Sequence, residues 1–248
     1  MTYWPYPFWI AHRGAGRLAP ENTLAAFRVG AQHGYRAFEC DVKLSADGVP
    51  FLLHDTDLQR TTSGHGVAGD QPWSALSRLD AGSWHSPAYA GEPLPSLDAI
   101  AAFALRNGHA LNLELKPTPG SEHRTGEVVA AHVWQRWQGH AMPPLLSSFE
   151  PDALAGAQAA APKLPRALLL DELCGDWPTQ AETLGCVAVV FAHKLLDATL
   201  IGRLHAAGLK ALAYTVNDSA DARRLRDAGI DGLITDEVAR FSPSAEGT

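Results

Sequence analysis

Residues 187–235 read VAVVFAHKLLDATLIGRLHAAGLKALAYTVNDSADARRLRDAGIDGLIT, and the rhythm of this stretch decides the fold. Three short runs of apolar and β-branched residues, 187–192, 210–216 and 232–235, have the length and composition of strands. Between them lie 197–207 and 219–228, longer segments rich in Ala and Leu whose composition suits helices. Each meets a glycine just past its last turn, Gly208 and Gly229, where a left-handed cap ends a helix at little cost. Strand, helix and strand in this order make βα units and a parallel sheet.

The same alternation extends back to the start of the chain. Strands are expected at 8–11, 37–42, 110–115, 145–149 and 166–170, and helices at 22–33, 97–107, 122–137, 151–160 and 177–184, with a short last helix at 237–241. Gly34 and Gly108 supply two more helix stops. Eight such units imply an α/β fold, a (β/α)8 TIM barrel, which runs to about 250 residues as one domain. The 248 residues are therefore assigned to a single domain, 1–248. One segment breaks the rhythm, because roughly 50 residues separate the second strand from its helix, and an insertion that long in a compact domain is usually functional. It holds an extra strand at 49–53 and then, at about 56–95, an insertion after strand 2 rich in Gly, Ser, Trp and Pro. The tail, 242–248, is expected to be disordered.

Charge and cysteine usage narrow the partners. Lys and Arg number 20 against 27 Asp and Glu, a net charge of −7 that repels polyanions, so no nucleic-acid partner is expected. Cys40, Cys174 and Cys186 are odd in number and lack zinc-ligand spacing, which fits a reducing compartment. The N-terminus lacks the basic stretch, apolar run and cleavage site of a signal peptide. The longest apolar run, 186–192, falls far short of the about 20 residues that a membrane helix needs. The expectation is a cytoplasmic protein without a stable membrane anchor, a monomer or homodimer.

In such barrels active sites gather at the C-terminal ends of the strands. The first strand runs into His12 and Arg13. On the second, side-chain alternation turns Glu39 and Asp41 to one face and Cys40 to the other. The third does the same for Asn112, Glu114 and Lys116. Three carboxylates buried together cost several kcal/mol per unpaired charge, so positive charge must join them. A hard divalent cation, Mg²⁺ or Ca²⁺, suits an all-oxygen ligand set; pairing with Arg13 and Lys116 is the alternative. Of 11 histidines, His12 and His54 stand out, because each ends an apolar strand-like run beside a charged neighbour, Arg13 or Asp55. Two imidazoles beside a metal would supply an acid and a base. Residues 20–23, Pro-Glu-Asn-Thr, look like a helix-capping segment. Lys116, two residues from Glu114 on the same face, stays protonated, which suits an anion clamp better than a Schiff base.

Taken in order, His12-Arg13-Gly14, Pro20-Glu21-Asn22-Thr23, Glu39-Cys40-Asp41-Val42, His54-Asp55, Glu114-Leu115-Lys116-Pro117, Thr215-Val216-Asn217 and Asp231-Gly232-Leu233-Ile234-Thr235-Asp236 resemble the glycerophosphodiester phosphodiesterase family. The resemblance implies a barrel with an insertion after strand two and metal-dependent hydrolysis of small glycerophosphodiesters, such as glycerophosphocholine or glycerophosphoethanolamine, to glycerol 3-phosphate and an alcohol. It implies one divalent cation on Glu39, Asp41 and Glu114, catalytic His12 and His54, and substrate or phosphate contacts from Arg13 and Lys116. Tyr214 stands where many members carry Trp and is assigned to the substrate pocket. The runner-up is a lysophospholipid-cleaving phosphodiesterase using the same site, with Trp73, Trp84 and Tyr89 lining an apolar groove. A non-catalytic barrel that binds phosphate esters is a more distant alternative, and a Schiff-base aldolase is more distant still.

Overall fold

The computed structural model describes residues 4–173, 175–241 and 243. Cys174 and the tail expected to be disordered, apart from Pro243, lie outside the described residues. The strands are β1 (Trp9–Ala11), β2 (Ala37–Leu44), β3 (Pro50–Leu52), β4 (Ala110–Leu115), β5 (Leu145–Ser148), β6 (Arg166–Leu170), β7 (Ala188–Ala192), β8 (Lys210–Tyr214) and β9 (Gly232–Thr235). All but β3 pair in parallel around a ring, which β1 closes by pairing with both β9 and β2. β3 adds to β2 in antiparallel register. The barrel is closed and eight-stranded, as the βα rhythm implies.

The helices are α1 (Leu24–Gln32), α2 (Trp73–Leu76), α3 (Leu97–Asn107), α4 (Glu122–Arg136), α5 (Pro151–Ala160), α6 (Trp177–Thr183), α7 (Ala198–Ala206) and α8 (Ser219–Asp227). All except α2, which belongs to the 56–95 segment, are the helices that connect successive barrel strands. The helix expected at 237–241 does not form. The amides of Arg240 and Phe241 both reach the carbonyl of Glu237, a single turn. Five residues with Pro243 close behind can nucleate a turn but cannot extend a hydrogen-bond ladder.

Alternation along β2 divides the core in two. Phe38, Cys40, Val42 and Leu44 point outward into the layer beneath the helices. Ala37 points inward, where it joins Ile10, Ala110, Leu145, Leu169, Val190, Leu212 and Ile234 in an apolar plug, with Trp4 and Tyr6 packed against it. The inward residues that follow along β2 are Glu39, Asp41 and Lys43, all buried. The β2–β4 register sets Glu39 beside Asn112 and Asp41 beside Glu114. Parallel pairing therefore gathers the acidic groups, and a one-residue slip would turn them into the apolar layer.

The 56–95 segment folds onto the barrel rim around a small core of Phe51, Leu53, Leu58, Ala68, Leu76, Ala81 and Leu94. Trp73 packs against this core, and Tyr89 packs against Ala15, Ala19 and Ala26. Of the three aromatics expected to line a groove, Trp84 alone stays largely exposed, at 41%. The other two are used up in holding the segment down.

Candidate active site

Beyond β1 the chain turns sharply through Arg13, whose φ is +51°, and returns through Asn22, at +59°. Among the described residues these are the two non-glycine positions with left-handed backbone, a conformation that costs roughly 1–3 kcal/mol and is retained where the surroundings enforce it. Here the enforcement comes from the carboxylates. The backbone N–H of Arg13 donates to Glu39 Oε2 at 3.1 Å, and its Nη1 donates to Glu21 Oε1 at 2.8 Å. Asn22 Nδ2 donates to Asp41 Oδ2 at 2.7 Å while its Oδ1 accepts from the Asp41 amide at 3.1 Å. Within residues 20–23 only Thr23 is a cap, accepting from the Ala26 amide at 3.2 Å. Glu21 and Asn22 belong to the site, which corrects the capping interpretation of the whole segment.

Glu39, Asp41 and Glu114 each offer a carboxylate oxygen, and these atoms lie within 4.8 Å of one another. Burial and the neighbouring Asp41 push the Glu39 carboxyl up to about 8. Burial and Asp41 also raise Glu114, despite Lys116 Nζ at 2.7 Å. Burial opposes ionisation of Asp41 too, yet Arg13, with Nε at 3.4 Å, together with His54, Lys116 and Asn22, holds it below the ordinary range. Arg13 and Lys116 therefore pair with part of the cluster and leave it short of positive charge. Glu39 Oε1 is buried with no hydrogen-bond partner. An orphaned carboxyl oxygen in an all-carboxylate cradle fits a hard divalent cation.

Each histidine is held from behind by a carboxylate. His12 Nδ1 is 2.6 Å from Asp236 Oδ1, and its Nε2 faces Glu39 Oε2 at 3.7 Å. His54 Nδ1 is 2.7 Å from Asp55 Oδ1. Because a carboxylate can only accept, each ring carries its proton on Nδ1 when neutral and offers Nε2 to the site. Asp236 is itself clasped by Asn217, whose Nδ2 donates to Oδ2 at 2.9 Å and whose Oδ1 accepts the Asp236 amide at 2.9 Å. Burial lowers the His12 pKa, but the bond to Asp236 and the charge of Glu39 outweigh it and raise the imidazolium. For His54, burial with Arg13 and Lys116 prevails and lowers it.

The histidines open onto separate cavities beside the cluster. One, of about 400 Å³, is bounded by His12, Arg13, Glu21, Trp84, His85 and Asp236. The other, of about 230 Å³, is bounded by residues that include Lys43, His54, Glu114, Lys116, Phe149 and Glu150. Lys116 Nζ also lies 5.3 Å above the Phe149 ring, which meets Tyr214 edge-on at 5.8 Å. Tyr214 thus buttresses Phe149. Asn112 shares a face with Glu114 but lies one layer deeper, with both side-chain polar atoms unpartnered beside Trp4 and Tyr6.

The structure brings His12, Arg13, Glu39, Asp41, His54, Glu114 and Lys116 to one end of the barrel. It adds Glu21 and Asn22, read from the residue pattern as capping, Asp55, read only as a charged neighbour of His54, and Arg60, Asn217 and Asp236, to which the pattern assigned no role. Lys43 also joins them, on the inward face of β2, with Nζ donating to the carbonyl of Lys116 at 2.9 Å. Asp236 and Asn217 could have been found by the rule that found His12, since both follow barrel strands. Arg60 carries no such signal.

Residues 12–240 match the model of the glycerophosphoryl diester phosphodiesterase family. A glycerophosphodiester phosphodiesterase of Caldanaerobacter subterraneus subsp. tengcongensis is 29% identical over 92% of this chain and 93% of its own. An Oleispira antarctica phosphodiesterase, its structure solved in complex with the product sn-glycerol 3-phosphate, is 35% identical over 98% of both chains with a TM-score of 0.89. A glycerophosphodiester phosphodiesterase of Agrobacterium tumefaciens superposes with a TM-score of 0.80 at 30% identity, over 95% of this chain and 98% of its own. With the family model covering all but the chain's ends, and with the barrel and acidic cluster in place, this chain belongs to the glycerophosphoryl diester phosphodiesterase family.

Proposed function

We propose that the chain hydrolyses small, water-soluble glycerophosphodiesters to glycerol 3-phosphate and an alcohol, using His12 and His54 as its proton-transfer pair. The observation that carries this reading is the buried triad Glu39, Asp41 and Glu114 flanked by two imidazoles, each backed at Nδ1 by a carboxylate. A divalent cation, Mg²⁺ or Ca²⁺, held by the triad supplies Lewis-acid polarisation of the phosphodiester. Arg13 and Lys116 add fixed positive charge at the phosphate, already in position before substrate arrives. With Nδ1 tied to Asp236 or Asp55, Nε2 of one histidine takes the proton of the nucleophile, water or the glycerol 2-hydroxyl, while Nε2 of the other protonates the leaving alcohol oxygen as its bond to phosphorus breaks; where the 2-hydroxyl attacks, water then opens the cyclic phosphate with the two roles exchanged. Tyr214 acts through Phe149 to hold the wall beside Lys116.

The small substrate is favoured over a lysophospholipid because most of the residues that line the two cavities carry charged or polar side chains, and Trp84 is the one large apolar side chain beside His12. No helix of the described residues is long and apolar enough to cross a membrane. A panel of glycerophosphocholine, glycerophosphoethanolamine and lysophosphatidylcholine, each with Mg²⁺ or Ca²⁺, tests the assignment. The glycerophosphodiesters should turn over fastest, and His12→Ala and His54→Ala should each abolish turnover in a folded protein. Full activity in either variant, or a preference for the lysophospholipid, would refute it. The segment at about 56–95 serves the same site, and we take 1–248 as one functional unit.

A further inference from the structure

Arg60 sits in the rim segment, 44% exposed at its side chain, yet its guanidinium is committed almost completely. Its Nε and Nη2 donate to Asp55 Oδ2 and Oδ1 at 2.6 and 2.9 Å. Its Nη1 and the second hydrogen of Nη2 donate to Glu21 Oε2 and Oε1 at 2.8 Å each. The two carboxylates have different clients. Asp55 holds His54 Nδ1, whereas Glu21 Oε1 also receives Arg13 Nη1 at 2.8 Å. From Asp55 through Arg60, Glu21 and Arg13 to Asp41 the ion pairs therefore alternate in charge across the mouth of the barrel without a break, with the His54 ring hydrogen-bonded at the Asp55 end.

We propose that Arg60 is a positioning residue: by clamping Asp55 and Glu21 edge to edge, it fixes the distance and orientation of the His54 imidazole relative to the Arg13 guanidinium. This rests on the roles given above to His54 and Arg13. The need for a clamp follows from where its clients stand. Asp55 follows the short added strand β3, outside the closed ring, and Glu21 lies in the connection between β1 and α1. Among the described residues no ladder of backbone hydrogen bonds ties these two segments together. A planar fork with four of its five donors engaged sets both separation and plane, which a single point charge cannot do. The proposal also gives the 56–95 segment a mechanical task. Its small core, centred on Leu58 and Leu76, anchors the backbone from which Arg60 reaches inward.

The test compares Arg60→Ala and Arg60→Lys with the wild type on glycerophosphocholine, with unfolding midpoints measured alongside. An ångström-scale misplacement costs about 100-fold in rate, so both variants should lose kcat/KM on that scale while remaining folded, with Lys restoring charge but not geometry. Free guanidinium, at a non-denaturing concentration, should restore at least tenfold of the loss in Arg60→Ala and leave the wild type unchanged, whereas methylammonium should not. Wild-type kcat/KM in Arg60→Ala, full recovery in Arg60→Lys, or no guanidinium rescue of a folded Arg60→Ala would overturn the proposal. Nitrogen NMR reads the clamp without turnover. The His54 Nδ1–H signal, hydrogen-bonded in the wild type, should shift on Arg60→Ala and return with guanidinium. An unmoved signal overturns the clamp, while a wild type that hydrolyses no glycerophosphodiester but shows the shift overturns only the functional reading.

Discussion

Asp236 Oδ1 lies 2.6 Å from His12 Nδ1, although 224 residues separate the two in sequence. Closure of the barrel brings them together: β1 pairs with β9, Ala11 is in register with Thr235, and each of the two residues is the next one along its strand. The carboxylate fixes the imidazole tautomer and favours its protonated form. Burial opposes ionisation of Asp236, but the bond from His12, its charge, and Asn217 hold the acid at about 2. Asp236→Asn should therefore leave the fold intact and lower kcat by roughly 10²–10⁴-fold, the range expected when the amide drives the imidazole into the wrong tautomer. Steady-state kinetics beside a thermal melt checks this, and unchanged kcat would remove Asp236 from the mechanism.

The acidic triad predicts a specific pH dependence of the metal-free protein. Glu39 sits near 8 in the fold, raised by burial and then by Asp41, against an ordinary value of 4.5. Between those values the folded state binds a proton that the unfolded chain has released, so the stability of the metal-free protein falls as pH rises. Glu39→Gln should flatten that slope in EDTA and abolish metal-induced stabilisation. Binding of Mg²⁺ or Ca²⁺ below pH 8 should release protons and tighten with pH, which calorimetry in buffers of different ionisation enthalpy detects. Equal proton release by wild type and Glu39→Gln would contradict the assignment.

Gly16 is where backbone geometry and catalysis meet. Its φ is +55°, and a Cβ there would stand 2.1 Å from the Asp236 carbonyl oxygen and 2.4 Å from its Cα. The atoms that a Cβ would meet all belong to the Asp236 backbone, so the clash cannot be relieved by a rotamer change. Gly16→Ala should destabilise the fold by about 1–3 kcal/mol and displace Asp236. Denaturant unfolding reads the first effect, and a fall in kcat beyond what the folded fraction explains reads the second.

The barrel was legible in the sequence because its signals are local. Each strand and helix from 187 to 235 is set by a few consecutive residues, and the two helices stop at Gly208 and Gly229, both of which take left-handed backbone. The alternation of Phe38, Glu39, Cys40 and Asp41 similarly forecast which side chains face the interior. What stayed hidden depends on closure and on the rim. That Asp236 backs His12, and that Asn22 clasps Asp41, follows from spatial neighbours that no run of residues encodes. Trp73 and Tyr89 looked like groove walls because an aromatic in a loop reads the same whether it faces solvent or a small local core. The helix expected at 237–241 is short in the sequence itself, and five residues are too few to carry a nucleated turn onward.

Hydrolysis of sn-glycero-3-phosphocholine followed by phosphorus NMR, in EDTA-treated protein and after restoring Mg²⁺ or Ca²⁺, tests the central claim most directly. Glycerol 3-phosphate should appear with the cation and be absent without it, in wild type but not in His12→Ala or His54→Ala. Product formation that persists in EDTA, or none with either cation, would contradict the assignment of Glu39, Asp41, Glu114 and the two histidines to one phosphodiesterase site.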